Sequence, residues 1–226
     1  MRLGDLAPDL APSLGDAAQT RVTGVTADSR AVAPGMVFAA LKGAKADGAA
    51  FVPDALKRGA SAVLCSQDAA VDAPVVLRDA DPRRRLALMA AALAGTQPKT
   101  IVAVTGTAGK TSVAEFVRQI FAADGKRAVS VGTRGMRGAV SEYGGLTTPD
   151  PVALHTRLAD LAAGGVDHVA MEASSHGIDQ RRLDGVVLSA AGFTNIGRDH
   201  LGYHTTAGEC LEAKHRLFHT LQPDGA

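Results

Sequence analysis

The sequence predicts an α/β protein with parallel sheets, and three observations support this prediction. Apolar residues make up 46% of the 226 residues, which is enough to bury a sizeable core. Short apolar runs, typical of buried strands, recur along the chain. Between these runs the apolar residues take the helical spacing. Such strand–helix alternation is typical of parallel sheets that helices cover on both faces.

The first part of the chain alternates short strands with helices. A helical pattern opened by the segment 81–85 stops at Gly95–Pro98, where glycine and proline interrupt it, and a new apolar run follows directly. We therefore place a boundary near residues 94–99, which gives domains of residues 1–96 and 97–226. The predicted elements before this boundary are the strands 37–41, 62–64 and 75–77 and the helices 51–58 and 81–93.

After the boundary the same alternation continues more clearly. Asp150 is typical of a helix N-cap, and Pro151 is typical of the first helical position. The helix that they begin is predicted to end at Gly164. Another helix starts after Gly109, and five apolar residues share one face of it, the pattern of an amphipathic helix. These residues are Val113, Phe116, Val117, Ile120 and Phe121. The predicted strands are residues 101–104, 128–131, 168–172 and 186–194.

Composition excludes several classes of protein. The 24 Lys and Arg residues nearly balance the 23 Asp and Glu residues, which gives no support to a general nucleic-acid or membrane binder. The two cysteines, Cys65 and Cys210, lie far apart, so a disulfide scaffold is excluded and a reducing compartment fits. We see no signal peptide and no apolar run long enough to span a bilayer. We therefore expect a cytoplasmic protein.

The strongest local motif is a glycine-rich loop between a predicted strand and a helix. Its glycines let backbone N–H groups turn toward phosphate oxygens, and the helix N-terminus adds positive potential. Lys110 would reach the outer phosphates and the Thr111 hydroxyl would hold Mg²⁺. Val104 stands where the strict motif has glycine, so the loop is a variant; the alternative is a plain turn. The expected phosphate-binding residues are Thr105, Gly106, Thr107, Gly109, Lys110, Thr111 and Ser112.

Two further motifs follow predicted strands. Glu172 ends an apolar strand, where open α/β sheets place ligand groups, so it can hold a metal beside the loop; the alternative is a strand-end acid facing solvent. His200 follows the next strand and can ligate a metal or hold phosphate. His200 and His204 are four residues apart, but Gly202 weakens a helix there and no Glu follows His200, so zinc is not favoured.

The remaining titratable candidates give no functional signal by themselves. From the residues alone, Lys214 is an ordinary lysine on a helix surface. His155, His168, His215 and His219 are interpreted as surface or capping groups.

Taken together, these motifs resemble the Mur ligases of peptidoglycan synthesis, in particular the ligases that add the third amino acid to UDP-N-acetylmuramoyl-L-alanyl-D-glutamate. The ligases that add the terminal dipeptide share the first-domain pattern but lack the stretches at 147–150 and 174–176. The resemblance covers nearly the whole chain in order. The matching segments are 28–30, 34–35, 38–41, 47–48, 59–60, 105–111, 147–150, 171–176, 198–201, 213–214 and 217–218.

The resemblance implies a small N-terminal α/β domain that binds the uridine end of the substrate, over residues 1–96. A parallel-sheet ATPase domain, incomplete at its C-terminus, follows over residues 97–226. It implies that ATP and Mg²⁺ are used to convert the D-glutamate side-chain carboxylate to an acyl phosphate, which the amine of an amino acid then attacks. Muramyl-substrate contacts would come from Ser29, Thr147, Thr148, Ser174, Gln180 and Arg182.

The resemblance also implies metal sites and a catalytic set. Thr111 and Glu172 would hold one Mg²⁺. His200 would hold a second, supported by a carbamylated Lys214, because carbamylation turns a cation into an anion. The implied catalytic residues are Lys110, Glu172, His200 and Lys214.

Some features depart from the family pattern. Ala108 replaces an Asn of the loop, and Gly197 and Gly202 replace a Ser and an Asp. Family members also continue into a third domain that binds the incoming amino acid, so we expect that this chain alone does not ligate. We also expect a monomer. Whether that amino acid is meso-diaminopimelate or L-lysine stays open. The alternatives are a truncated, non-catalytic paralogue that binds UDP-muramyl peptide or ATP, and a generic phosphate-loop ATPase or kinase.

Overall fold

The computed structural model describes residues 1–43, 46–144, 146–197 and 203–221. The chain divides into two compact units, Met1–Leu93 and Ala94–Ala226, so the division falls slightly before the boundary placed from sequence. Each unit is built around a sheet whose neighbouring strands are parallel, with one antiparallel hairpin in the second unit, and the predicted α/β class is confirmed. In the described part of the chain, no helix has the length and apolarity that crossing a membrane requires.

The first unit is a four-stranded parallel sheet with strands in chain order. Its strands are β1 (Gly24–Thr26), β2 (Met36–Ala39), β3 (Ala62–Ser66) and β4 (Val76–Asp79). Its helices are α1 (Leu3–Leu6), α2 (Ala11–Leu14), α3 (Val52–Lys57) and α4 (Pro82–Ala94). Sequence analysis missed β1, α1 and α2, because segments of three or four residues are too short to show a period. Phe38 and Val63 are buried at its centre.

The second unit is a five-stranded sheet in the order β7-β6-β8-β5-β9. Its strands are β5 (Thr100–Thr105), β6 (Ala128–Gly132), β7 (Gly135–Gly138), β8 (His168–Glu172) and β9 (Ala190–Phe193). Its helices are α5 (Lys110–Ala123), α6 (Pro151–Ala163), α7 (Ser175–Asp179) and α8 (Ala207–His215). All neighbours are parallel except the β6–β7 hairpin. The carboxyl ends of β5, β6, β8 and β9 therefore share one edge, where α/β sheets bind ligands.

Helix α6 forms as its sequence predicts. The Asp150 carboxylate accepts hydrogen bonds from the backbone N–H groups of Val152 and Ala153, and Pro151 occupies the first turn. This cap satisfies N–H groups that have no partner within the helix. Leu154 and Leu158 are buried in the core against the sheet.

The predicted extent of one strand and the predicted buried face of one helix were wrong. The apolar run 186–194 forms a strand only over Ala190–Phe193, because Val186 and Leu188 fill the core from a connecting segment. In α5, Phe116 and Ile120 are 61% and 66% exposed. The buried residue of this helix is Ala114, and residues two apart on a helix point about 200° apart, so Phe116 faces away from the sheet.

His155 is a core residue, so its interpretation as a surface or capping group was wrong. Its side chain is 2% exposed, and its Nε2 lies 3.0 Å from the carbonyl oxygen of Asp184. Sequence analysis missed this because the ring's burial depends on a segment far along the chain. Burial lowers the pKa of His155 below its usual value, and the hydrogen bond to Asp184 opposes this shift only in part.

We expect acid to destabilise the second unit through His155. The folded-state pKa lies below the unfolded value of 6.5, so the unfolded chain takes up a proton first as pH falls. The stabilisation is present above pH 6.5 and is lost as pH falls toward the folded pKa, by at most about 1.4 kcal/mol per pH unit. Urea unfolding of wild type and His155→Gln from pH 8 to 5 tests this, since glutamine keeps an N–H donor without titrating.

The difference in unfolding free energy between wild type and H155Q should shrink toward pH 5. Exposed Thr156 on the same helix provides a control, since Thr156→Val removes no titratable group and should leave the pH dependence of the wild type unchanged. Parallel curves for wild type and H155Q would contradict the assignment.

Candidate active site

A glycine-rich loop joins β5 to α5 at the ligand-binding edge of the sheet. Gly106 and Gly109 have φ angles of 143° and 84°, which residues with a Cβ rarely adopt. A Cβ at Gly106 would also overlap the Thr194 hydroxyl oxygen. The segment after β9 holds the loop from the other side, since Thr107 N–H donates to the Asn195 carbonyl at 2.9 Å and Ala108 N–H to the Asn195 side chain at 3.1 Å. Hydrogen bonds therefore join the loop to the segment that follows β9.

Lys110 is folded over this loop. Its ammonium donates to the carbonyl oxygens of Gly106 and Thr107, at 2.8 and 3.0 Å. Burial lowers the pKa of Lys110, and the nearby Glu172 carboxylate acts in the opposite direction. The cation thus lies where phosphate groups would enter the loop, and its present acceptors are loop carbonyls that a phosphate can replace.

Glu172 is buried at the end of β8. It is therefore not the solvent-facing acid that the sequence left as an alternative. The side chain is 3% exposed. Its Oε1 accepts from Thr133 N–H and its Oε2 accepts from the Thr111 hydroxyl, both at 2.9 Å. Gly132 on neighbouring β6 leaves the necessary room, because a Cβ there would overlap the carboxylate.

A hydroxyl-rich segment continues from Glu172 toward α7. The Thr148 hydroxyl donates to the Glu172 carbonyl at 3.1 Å, and it lies 3.1 Å from the Ser174 hydroxyl, which caps α7. The Arg182 guanidinium donates to the Thr148 carbonyl at 2.7 Å and to the Gln180 side-chain oxygen at 2.8 Å. Four of the residues expected to hold the muramyl substrate, Thr148, Ser174, Gln180 and Arg182, are thus linked by hydrogen bonds.

The loop and this segment line the same cavity of about 730 Å³. That volume suits a cofactor or a sizeable small-molecule substrate. Residues that the sequence assigned to nucleotide, metal and substrate binding meet here: Gly106, Thr107, Gly109, Lys110, Thr111, Thr147, Thr148, Glu172, Ser174 and Arg182. Residues that the sequence analysis did not assign also line it: Thr133, Leu146, Ser175, His176 and Tyr203. The His176 and Tyr203 rings stack with centroids 3.8 Å apart.

Lys214 is not on the helix surface, so that prediction was wrong. It is 1% exposed, and its ammonium lies 2.8 Å from the Cys210 sulfur one turn earlier in α8. Its positive charge contributes to the lowered pKa of Lys110, after the larger effect of burial. A sequence signal existed, because buried residues recur on α8 and beyond with helical spacing. These residues are Cys210, Ala213, Lys214 and Leu217.

Several of the expected site residues that the structure describes are not among those lining this cavity: Ser29, Thr105, Ser112, Gln180 and Lys214. Ser29 lies in the first unit, half-buried at the start of the short helix Ser29–Ala31. His200 lies outside the described residues, as does Gly202. Gly197 is described, and its N–H donates to the Thr107 hydroxyl at 2.9 Å. The roles of Ser29 and His200 therefore stay predictions.

The oxygen ligands that this cavity offers fit a nucleotide with bound magnesium. A hydroxyl and a carboxylate, from Thr111 and Glu172, are the hard oxygen ligands that Mg²⁺ takes beside phosphate oxygens. Within the described ranges, no group of three or more His, Cys, Asp or Glu residues is placed to hold a metal ion. The buried Thr105 hydroxyl also has no hydrogen-bond partner among the described residues.

Comparisons with known proteins agree with this geometry. The profile of the Mur ligase middle domain matches residues 104–226, and that of the Mur ligase family catalytic domain matches residues 21–110. UDP-N-acetylmuramoyl-L-alanyl-D-glutamate–2,6-diaminopimelate ligases from Brucella melitensis and Rhizobium meliloti are 57% and 55% identical to the whole chain. The chain covers 47% and 48% of these proteins, so it spans about half of their length.

Solved structures show the same fold. A UDP-N-acetylmuramoyl-L-alanyl-D-glutamate–2,6-diaminopimelate ligase superposes with a TM-score of 0.84 at 31% identity, over 98% of this chain and 46% of that one. MurF from Thermotoga maritima in complex with ADP superposes with a TM-score of 0.56 at 21% identity, over 91% and 44%. The second likeness concerns the fold alone.

Proposed function

Because this chain belongs to the Mur ligase family, we propose that it carries the nucleotide site and part of the UDP-muramyl-peptide site of an ATP-dependent amide ligase. The reaction joins the third amino acid to UDP-N-acetylmuramoyl-L-alanyl-D-glutamate. The observation that supports this proposal most is the single cavity in which Lys110, Thr111 and Glu172 face the same space as Thr148 and Ser174.

The residues of this cavity suit the joining of two anions. Transfer of a phosphoryl group to a carboxylate brings negative charges together, so the site must supply positive charge and hydrogen-bond donors. Lys110 offers an ammonium at the loop, and Arg182 offers a guanidinium at the substrate side. Mg²⁺ held by Thr111 and Glu172 would supply further charge neutralisation at the phosphates.

We propose 2,6-diaminopimelate as the amino acid that is added. The sequence left the choice between diaminopimelate and L-lysine open. The relatives that match the whole chain at above 50% identity are 2,6-diaminopimelate ligases, which supports the former. The cytoplasmic location and the monomeric state stay predictions.

Calorimetric titration of the chain with UDP-N-acetylmuramoyl-L-alanyl-D-glutamate tests the proposal, with UDP-glucose as the comparison ligand. We expect selective binding of the muramyl dipeptide. Arg182→Ala should raise its dissociation constant about 10- to 100-fold, the loss expected for a charge-assisted contact. Exposed Arg127 provides the matched control, since Arg127→Ala should bind as wild type does. Equal affinity for both ligands in a folded chain would contradict the proposed substrate.

A non-catalytic binding protein is the second candidate, and Ala108 favours it. This position offers the phosphates no side-chain hydrogen bond, and its backbone N–H is already held by Asn195. Such a protein would bind ATP and muramyl dipeptide without joining an amino acid. ATP-dependent amide formation by the complete protein containing this chain would exclude this candidate.

A further inference from the structure

Thr133, the residue directly after β6, contacts both sides of the cavity. Its backbone N–H donates to Glu172 Oε1 at 2.9 Å and its hydroxyl donates to Glu172 Oε2 at 3.3 Å. The same hydroxyl lies 2.9 Å from the Thr147 hydroxyl. A continuous path of hydrogen bonds therefore runs from Thr111 through Glu172 and Thr133 to Thr147.

The protons along this path have a defined direction. An ionised carboxylate only accepts hydrogen bonds, so the single proton of the Thr133 hydroxyl goes to Glu172. The Thr133 oxygen must then accept from Thr147. The Thr147 hydroxyl consequently donates its proton to Thr133 and keeps its remaining lone pair for a donor, which suits an N–H group of a peptide substrate.

A purely structural role does not account for this arrangement. The Thr133 side chain is exposed and lines the cavity rather than the core. Its hydroxyl contacts two residues that lie 25 positions apart in sequence, Thr147 and Glu172. Its partners are a candidate metal ligand on one side and a candidate substrate contact on the other.

We propose that Thr133 is a positioning residue that fixes Glu172 for magnesium and orients Thr147 for the muramyl peptide. This inference rests on the proposed function, because it assigns the two sides of the cavity to the two ligands. Thr133 links these sides, so binding at one side alters affinity at the other, and any such coupling is reciprocal.

Thr133→Val and Thr133→Ser separate the hydroxyl from the shape of the side chain. Valine keeps the branched shape and removes the hydroxyl, whereas serine keeps the hydroxyl. Mn²⁺ replaces Mg²⁺ as a probe whose binding to the chain with ATP is followed by electron paramagnetic resonance. Titration with UDP-N-acetylmuramoyl-L-alanyl-D-glutamate measures the affinity for the muramyl dipeptide. Repeating it with Mn²⁺ and ATP present shows how much binding at one side of the cavity changes affinity at the other.

We expect T133V to raise the dissociation constant of Mn²⁺ about 3- to 10-fold, the loss of a net hydrogen bond. The dissociation constant of the muramyl dipeptide should rise by a similar factor. Binding of one ligand should no longer change the affinity for the other. T133S should stay within about 2-fold of wild type. ATP binding in EDTA should be the same in all variants. Thr156→Val, which removes an exposed hydroxyl of α6 bonded to the Val152 carbonyl, is the matched control.

Two results would overturn the proposal. Wild-type affinity for Mn²⁺ in a folded T133V chain would show that the hydroxyl does not position Glu172. Losses as large in T133S, which keeps the hydroxyl, as in T133V would show that the hydroxyl does not account for the effect. Failure of the wild-type chain to bind the muramyl dipeptide would contradict the proposed substrate instead, and the Mn²⁺ and ATP titrations would still report on Thr133.

Discussion

Replacing Lys110 by methionine should raise the dissociation constant of ATP about 30- to 1000-fold, which corresponds to about 2–4 kcal/mol. The ammonium is the charged donor at the loop, and its present partners are the carbonyls of Gly106 and Thr107. Methionine keeps much of the side-chain stem and removes the charge, so the phosphates lose a charge-assisted contact that the loop N–H groups do not replace. Calorimetric titration with ATP and Mg²⁺ measures the effect.

Lys99 offers a matched control for this variant. It is exposed and precedes β5, at the opposite end of the strand from the loop, so Lys99→Met should bind ATP as wild type does. K110M should still bind the muramyl dipeptide, because the residues expected to contact this ligand lie on the other side of the cavity. ATP binding by K110M at wild-type strength would remove Lys110 from the nucleotide site.

Replacing Glu172 by glutamine should raise the dissociation constant of Mn²⁺, measured with ATP, on the order of 100-fold. The amide keeps the shape of the side chain and can accept from Thr133 N–H, but it offers the metal no charge. The same substitution should leave the free energy of unfolding unchanged or raise it by about 1 kcal/mol, because a neutral amide costs less to bury than a carboxylate. Metal titration and urea unfolding of one preparation measure both effects.

A loss of metal binding without a loss of stability is the signature of a functional carboxylate. Asp160→Asn, at an exposed position of α6, is the control and should change neither quantity. A large loss of stability in E172Q, with Mn²⁺ affinity retained, would mean that the carboxylate supports the fold and not the metal.

Local chemistry made several features predictable. Asp150 and Pro151 start α6 because a cap needs only residues adjacent in sequence, and the loop at 105–111 was found because its two glycines and Lys110 lie within five residues. Alternation of apolar runs with helical patterns was enough for the α/β class. The sequence did not correctly predict which side of a helix faces the core. Lys214 and Phe116 show this in opposite directions, with the lysine buried and the phenylalanine exposed.

The sequence by itself determined the class of fold, the phosphate loop and the residue types available at the strand ends, because these depend on contiguous patterns and on chain direction in parallel sheets. Only the tertiary structure decided which strand ends are neighbours. Placing β6 next to β8 puts Thr133 against Glu172, 39 residues away in sequence, and the Thr133 hydroxyl in turn contacts Thr147. The sheet order therefore builds the candidate site from segments that no local pattern connects.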